Sequence, residues 1–394
     1  MKSFKPASIG EILFLIAGIG LAVYVRWQLF PIVTMDANVF LLPWYDYIAA
    51  HGFWHAFADN FYNYNPPYLY LIGIATLFKG ISPLTAIKLI SVIFDISAAF
   101  AVYRITTHFY SDKRYARLAF ITVLLLPTVF IDSSQWGQCD VIYASFLLWS
   151  IAALIEEKYV GGLILFSIAF VFKAQSIFLA PLFLVLLLKK KFPWYSLLWP
   201  PVIYFLSLLP AWLAGRPLVD LLTIYFTQAN AYPSLSMNAP SLFFPLGKMG
   251  LYSESMVWIG LGITACFVAL YLIYRLRKPF RQETLFYGYD ACYLTFLVPF
   301  FMPKMHDRYF FPATLFFLVM LFLDRKTIWP AILVEISSLL SYINWLYDLP
   351  VNLTEISFWI NIGLVLWIIL WYGKKLTSPA VTPDTLEPQP NMRS

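Results

Sequence analysis

The stretch Pro66-Pro67-Tyr68-Leu69-Tyr70-Leu71-Ile72-Gly73-Ile74-Ala75-Thr76-Leu77-Phe78-Lys79-Gly80 decides how the rest of the chain is threaded. It is apolar enough to enter a bilayer, yet it opens on two prolines and closes on Lys-Gly. If it crosses, every later segment changes side. If it does not, the N-terminus and the later basic loops share one side. Around it lies a chain of 394 residues, 61% apolar, 19% aromatic and only 12% charged. A soluble domain carries about 45–50% apolar and about 25% charged residues. Half the usual charge cannot solvate a surface of this size. That excludes a soluble enzyme and a nucleic-acid partner, and leaves a multi-span membrane protein. The net charge of +6 then bears on orientation.

A hydrocarbon core about 30 Å thick needs about 20 apolar residues as helix. Apolar runs at 9–30, 84–108, 116–133, 140–157, 159–173, 176–188, 194–213, 256–275, 284–302, 309–323, 328–347 and 355–373 predict an all-α polytopic membrane protein of about 12 transmembrane helices. The runs 159–173, 176–188 and 309–323 are short, so tilted, kinked or broken helices are expected there. The run 9–30 lacks a small-residue cleavage site and reads as an uncleaved first span. Cys139, Cys266 and Cys292 are far apart, which argues against a disulfide framework or a zinc site.

The positive-inside rule arbitrates the 66–80 question. If the segment does not cross, one side collects Lys2/Lys5, Arg104/Lys113/Arg114/Arg117, Lys158, Lys189-Lys190-Lys191, Arg275/Arg277/Lys278/Arg281, Arg325/Lys326, Lys374/Lys375 and Arg393, most of the 27 cations. The segment is therefore read as a re-entrant or interfacial helix on the outer side, its backbone covered by protein. Both termini are expected inside. The threading divides the chain into a module 1–213 with a first outer loop 31–83, and a module 214–374 with an outer loop 214–255. A polar, Pro-rich tail 375–394 is expected to be disordered and cytoplasmic.

The same threading gathers polar residues at the outer boundary. Asp36 follows span one in Met35-Asp36-Ala37-Asn38, and Asp46 follows in Trp44-Tyr45-Asp46-Tyr47. A partly desolvated carboxylate there suits a general base, while an acid at a helix start is also favoured by the helix dipole. Tyr64, in Asn63-Tyr64-Asn65-Pro66-Pro67, can stack on a sugar ring or belong to an interfacial aromatic belt. Ser133-Ser134-Gln135-Trp136-Gly137-Gln138-Cys139-Asp140 reads as a cavity lining or a helix cap. Lys173 and Gln175, in Phe172-Lys173-Ala174-Gln175, place a cation where it meets a phosphate or snorkels to a headgroup. Asn238, in Ser236-Met237-Asn238-Ala239-Pro240, is a candidate contact or a plain turn. The sharpest signal is Pro303-Lys304-Met305-His306-Asp307-Arg308-Tyr309, four charged or titratable side chains in one short turn with apolar flanks. His306 can switch near neutral pH and Arg308 can hold phosphate oxygens bidentately. The intramembrane acids Asp95, Asp290 and Glu335 read as interhelical hydrogen-bonding groups. No GxSxG, Walker loop, HExxH or GxGxxG occurs, so a cytosolic nucleotide is not expected to be the direct donor.

The order of these motifs resembles the GT-C glycosyltransferases, over about residues 9–310. The nearest likeness is to the bacterial branch similar to GPI mannosyltransferase II, and to the endoplasmic-reticulum glucosyltransferases that extend lipid-linked oligosaccharides. The resemblance implies a GT-C-like fold with interfacial helices in the first outer loop. It implies an inverting transfer of a sugar, mannose or another hexose, from a polyprenyl-phosphate donor to a glycan, lipid or protein acceptor, on the outer face of a bacterial plasma membrane. Asp36 matches the catalytic position. Lys173, Lys304, His306 and Arg308 are expected to bind the donor phosphate. Asp46, Tyr64, Trp136, Gln138, Asp140, Gln175, Asn238 and Asp307 are expected to contact substrate. Asp307 stands where relatives commonly have Glu. Asp36 is a single acid and not an adjacent pair, so neither a metal nor another cofactor is expected. A polytopic secondary transporter is the other class that fits the span count. It would show repeats and broken helices near the midplane, whereas the polar motifs here sit at the rim. A non-catalytic lipid-binding or scaffold protein is a third class, and it would tolerate loss of Asp36 and Arg308 together.

Overall fold

The computed structural model describes residues 8–277, 283–347 and 349–377. Lys2, Lys5, Lys278, Arg281, Asp348 and the tail beyond residue 377 lie outside the described residues. Residues 375–377, assigned above to the tail, instead continue the last helix.

The chain is an all-α polytopic membrane protein. Helix α1 (Ile9–Leu29) starts with a capping box: the Ser8 hydroxyl accepts the Glu11 N–H, and the Glu11 carboxylate accepts the Ser8 N–H. The first loop folds into α2 (Leu42–His51), α3 (Phe53–Ala56) and α4 (Pro66–Ala75). At ten residues, α4 is about 15 Å long and cannot cross a bilayer. It packs on α2 and on α5 (Pro83–Phe109), so the 66–80 segment stays on one side as the cations required. Trp44, Ile48, Phe57, Tyr68, Leu69 and Ile72 are buried in one cluster with Ile87, Ile142, Leu208 and Leu221 from later segments, which explains how an apolar non-spanning helix is covered.

Next come α6 (Lys113–Leu124) and α7 (Pro127–Phe130). Pro127 forces Leu126 into an extended conformation, φ −67° and ψ 123°, and the run expected as one span bends by 45°. The core then follows as α8 (Asp140–Ile155), α9 (Tyr159–Phe172), α10 (Ala180–Leu188) and α11 (Trp199–Ala214). After α12 (Leu218–Asn230), strand β1 (Ser236–Met237) and α13 (Phe244–Lys248) come α14 (Glu254–Arg277), α15 (Glu283–Phe301) and β2 (Met305–His306). The chain closes with α16 (Phe311–Leu323), α17 (Ile328–Leu346) and α18 (Leu353–Thr377). Helix occurs at each of the expected apolar runs. By length and apolarity alone, five described helices can cross a membrane, or six with the bent pair. Helices α8, α9 and α16 are shorter, and α8 and α16 are packed on most sides by their neighbours.

Buried ion pairs tie these helices together. Arg26 on α1 meets Asp95 on α5 at 2.8 Å, and also donates to the Leu124 carbonyl at the end of α6. Arg275 on α14 meets Asp290 on α15 at 2.9 Å. Glu335 on α17 accepts the Thr128 N–H and hydroxyl on α7. The three intramembrane acids are thus interhelical ties, as their positions implied.

Removing one partner of a buried pair leaves the other charge uncompensated, which costs about 3–5 kcal/mol. Arg26→Leu is expected to lower the thermal midpoint of the detergent-solubilised protein accordingly. Arg26→Leu combined with Asp95→Leu should recover most of the loss. A single variant as stable as the parent would refute the tie.

Candidate active site

Two π-helical turns, Ala37–Leu41 and Ile131–Trp136, build the centre of the site. Such turns add a residue to the helical register and redirect the side chains beside them. Before the first turn, the end of α1 is clamped by Lys88. Its fully buried ammonium donates to the carbonyls of Leu29, Phe30 and Ile32 at 3.2, 3.1 and 2.7 Å. These carbonyls lie at and just beyond the helix end, where a cation meets the negative end of the dipole. Thr34 links the two turns: its hydroxyl accepts the Ala37 N–H and donates to the Trp136 carbonyl.

Asp36 is thereby fixed at the start of the first turn, 9% exposed. Its Oδ2 accepts the Trp136 indole N–H at 2.8 Å and the Gln138 amide N–H at 2.5 Å. Gly137 makes this possible: at φ 79° it reverses the chain so that the residues on both sides reach the same oxygen. Arg308 Nη1 lies 3.9 Å from that oxygen too. Oδ1 of Asp36 makes no hydrogen bond among the described residues.

Behind Asp36 stands a charge cluster. Asp140, at the first turn of α8, meets Lys173 at 2.5 Å through Oδ1 and Arg308 Nε at 3.2 Å through Oδ2. The Arg308 guanidinium sits 5.3 Å from the Trp136 ring centre. The Lys173 ammonium lies 5.8–5.9 Å from the rings of Tyr64, Tyr143 and Tyr309. Asp307 Oδ1 accepts the backbone N–H of Arg308. A parallel pairing of β1 with β2 fixes this turn, with Asn238 and Lys304 in the left-handed region at φ 58° and 61°.

All of this opens onto one cavity of about 1420 Å³. Asp36, Tyr64, Gln138, Lys173, Gln175, Asn238, Lys304, His306, Asp307 and Arg308 line it. Trp136 and Asp140, expected to contact substrate, lie behind the wall instead. They hold Asp36, Lys173 and Arg308 in place. Asp46 is not brought to the site. Helix α2 buries Trp44, Tyr45 and Ile48, which leaves Asp46 on the opposite, solvent-facing side. His306 is not a switch near neutral pH. Burial, reinforced by Arg308 and Lys173, pushes its imidazole down to about 3, so it is neutral at physiological pH. Lys304 turns to the Ala229 carbonyl at 3.1 Å and to the Tyr252 ring, on the far wall.

Sequence reasoning missed two parts of this cavity. One is its apolar wall, lined by Ile224 and Phe226 of α12 and by Val257, Trp258 and Leu261 of α14. Those residues look like any other span residues, so no local signal marks them. The other is Arg216, between α11 and α12. Its only signal is scarcity, since it is among the few cations that charge sorting leaves off the basic side.

Residues 85–211 match the ALG6, ALG8 glycosyltransferase family. The match runs from α5 to α11. It includes the Trp136–Asp140 turn and Lys173 but leaves out Asp36 and the 303–309 turn. It supports a glycosyltransferase activity on a GT-C-like helical scaffold. Comparison with curated proteins finds no match.

Asp307 gives the site a measurable pH response. Burial pushes its carboxyl up to about 7, against the pull of Arg308 and with the help of Asp36 and Asp140. A value raised above the ordinary 3.8 contributes stability that is complete below about pH 4 and is lost as pH rises through about 7. Between pH 5 and pH 8 the thermal midpoint of the parent should therefore fall by more than that of Asp307→Asn, whose amide does not titrate. Parallel curves would show that Asp307 is ionised throughout.

Proposed function

We propose that the protein is an inverting glycosyltransferase that moves a sugar, mannose or another hexose, from a polyprenyl-phosphate donor to an acceptor hydroxyl. The observation that carries this reading is the convergence of Asp36, Lys173 and Arg308 on one cavity that also has an apolar wall. The donor's isoprenoid tail lies along Ile224, Phe226, Trp258 and Leu261. Its phosphate meets Lys173 and Arg308, and its sugar reaches Asp36. In transfer, Asp36 Oδ1 takes the proton from the acceptor hydroxyl as that oxygen bonds to the anomeric carbon. The bond from the anomeric carbon to phosphate oxygen breaks, and its electron pair leaves with the phosphate. Fixed cations at low dielectric stabilise the charge that develops there. Trp136 and Gln138 hold Oδ2, so Oδ1 is aimed before substrate arrives. Neutral His306 has one N–H to offer a phosphate or sugar oxygen.

The charge distribution supports placing this cavity on the outer face, with both termini inside and twelve crossings. A polyprenyl-phosphate sugar carries a single negative charge, and Lys173 and Arg308, sharing Asp140, leave one net positive charge to meet it.

The test is incubation of the purified protein with a panel of polyprenyl-phosphate sugars. Loss of donor together with gain of a glycosylated product is expected, unaffected by a chelator. Asp36→Asn should reduce turnover by about 10²–10⁴-fold, the usual contribution of a positioned base, while the variant still binds donor. Turnover retained in that variant would remove Asp36 from the mechanism.

A further inference from the structure

The cavity contains a second cationic position that the transfer chemistry leaves unused. Arg216 follows Gly215, whose φ of 117° turns the chain out of α11. The arginine is 3% exposed and its guanidinium lies 4.3 Å from the centre of the Tyr62 ring. Nη2 donates to the Asn60 side chain at 2.6 Å, while Nε and Nη1 are buried with no hydrogen-bond partner among the described residues.

Its contrast with the other buried cations is sharp. Arg26 has Asp95, Arg275 has Asp290, and Lys173 and Arg308 share Asp140. Lys88 lacks a carboxylate but has three carbonyls. Among the described residues Arg216 has no ion pair at all. An uncompensated buried charge is strongly unfavourable, so the position calls for an anion from outside the chain. The donor phosphate already has its place. Tyr62, beneath Arg216, and Tyr64, facing Lys173, are two residues apart in sequence. Their Cα atoms can be no more than about 7 Å apart. The two cationic positions line the same cavity.

We propose that Arg216 is an anion subsite for the acceptor, and that the molecule receiving the sugar carries a phosphate group. The proposal rests on the transfer reading above. A phosphate on the cavity side of the guanidinium supplies the missing countercharge and holds the acceptor in the cavity that Asp36 lines. Phosphate is the oxyanion favoured because the acceptor has to be held at a membrane surface.

The test uses the full-length protein in detergent, saturated with undecaprenyl phosphate to fill the Lys173–Arg308 position, and titrated with inorganic phosphate while the thermal midpoint is followed. A saturable rise of a few degrees is expected in the parent, lost in Arg216→Gln and partly retained in Arg216→Lys. Without phosphate, Arg216→Gln is expected to be at least as stable as the parent, because an unpaired charge has been removed. A lower midpoint in both variants would mark Arg216 as structural and overturn the proposal. So would an absent rise in the parent, or an equal rise in Arg216→Gln. In nanodiscs, suppression of the response by phosphatidylglycerol but not phosphatidylcholine would assign the position to a lipid headgroup and overturn the acceptor assignment. An equal response in both lipids supports it. Failure of the transfer reading has a separate signature: undecaprenyl phosphate alone leaves the midpoint unmoved.

Discussion

Asp140 is fully buried, and both of its oxygens face cations. Lys173 comes from the end of α9 and Arg308 from the turn before α16, more than a hundred residues later. Without a shared anion these two positive charges would repel each other in a poorly polarisable interior. With it, three remote segments are held at one point. Asp307, whose carboxyl is pushed up to about 7 by burial, adds its negative charge to this balance only as the pH rises. Even the packing of the first loop serves this arrangement, because it sets Tyr64 against the Lys173 ammonium.

The second constraint is backbone geometry. Each π turn stands beside a residue that the site needs in an unusual direction. The first carries the chain away from Asp36, and the second brings the Trp136 indole round to it. Lys88 holds the end of α1 and Thr34 links the two turns, so the carboxylate is aimed by carbonyl and hydroxyl contacts away from it. Precision at Asp36 is thus produced at a distance from it, by residues whose mutation would look purely structural.

Sequence was informative where physics acts locally and statistically. The distribution of cations decided that 66–80 does not cross, and a ten-residue α4 agrees. Of the four charged or titratable groups in 304–308, Asp307 and Arg308 gather beside Asp36 and Asp140, whereas Lys304 turns to the far wall of the same cavity. What stayed hidden depends on packing in three dimensions. Whether Trp136 and Asp140 face the cavity or back its wall follows from how the second π turn and the start of α8 meet the bundle. Asp46 failed because one step along α2 rotates a side chain by about 100°, and the buried face had already been taken by Trp44 and Tyr45. His306 looked like a titrating group because its burial could not be read from a loop-like sequence. Arg216 was invisible for a related reason: lacking a partner is a property of surroundings, and surroundings are not written next to the residue.

The short pairing of β1 with β2 joins segments that the chain separates by the whole of α14 and α15. It puts Asn238 and Lys304 into left-handed backbone on either side of the seam, and their shapes are fitted to each other. The loop after α12 and the turn bearing Arg308 thus form a single inheritable cassette. A chimera could exchange the two together and keep a working wall, but exchanging either alone would mismatch the seam.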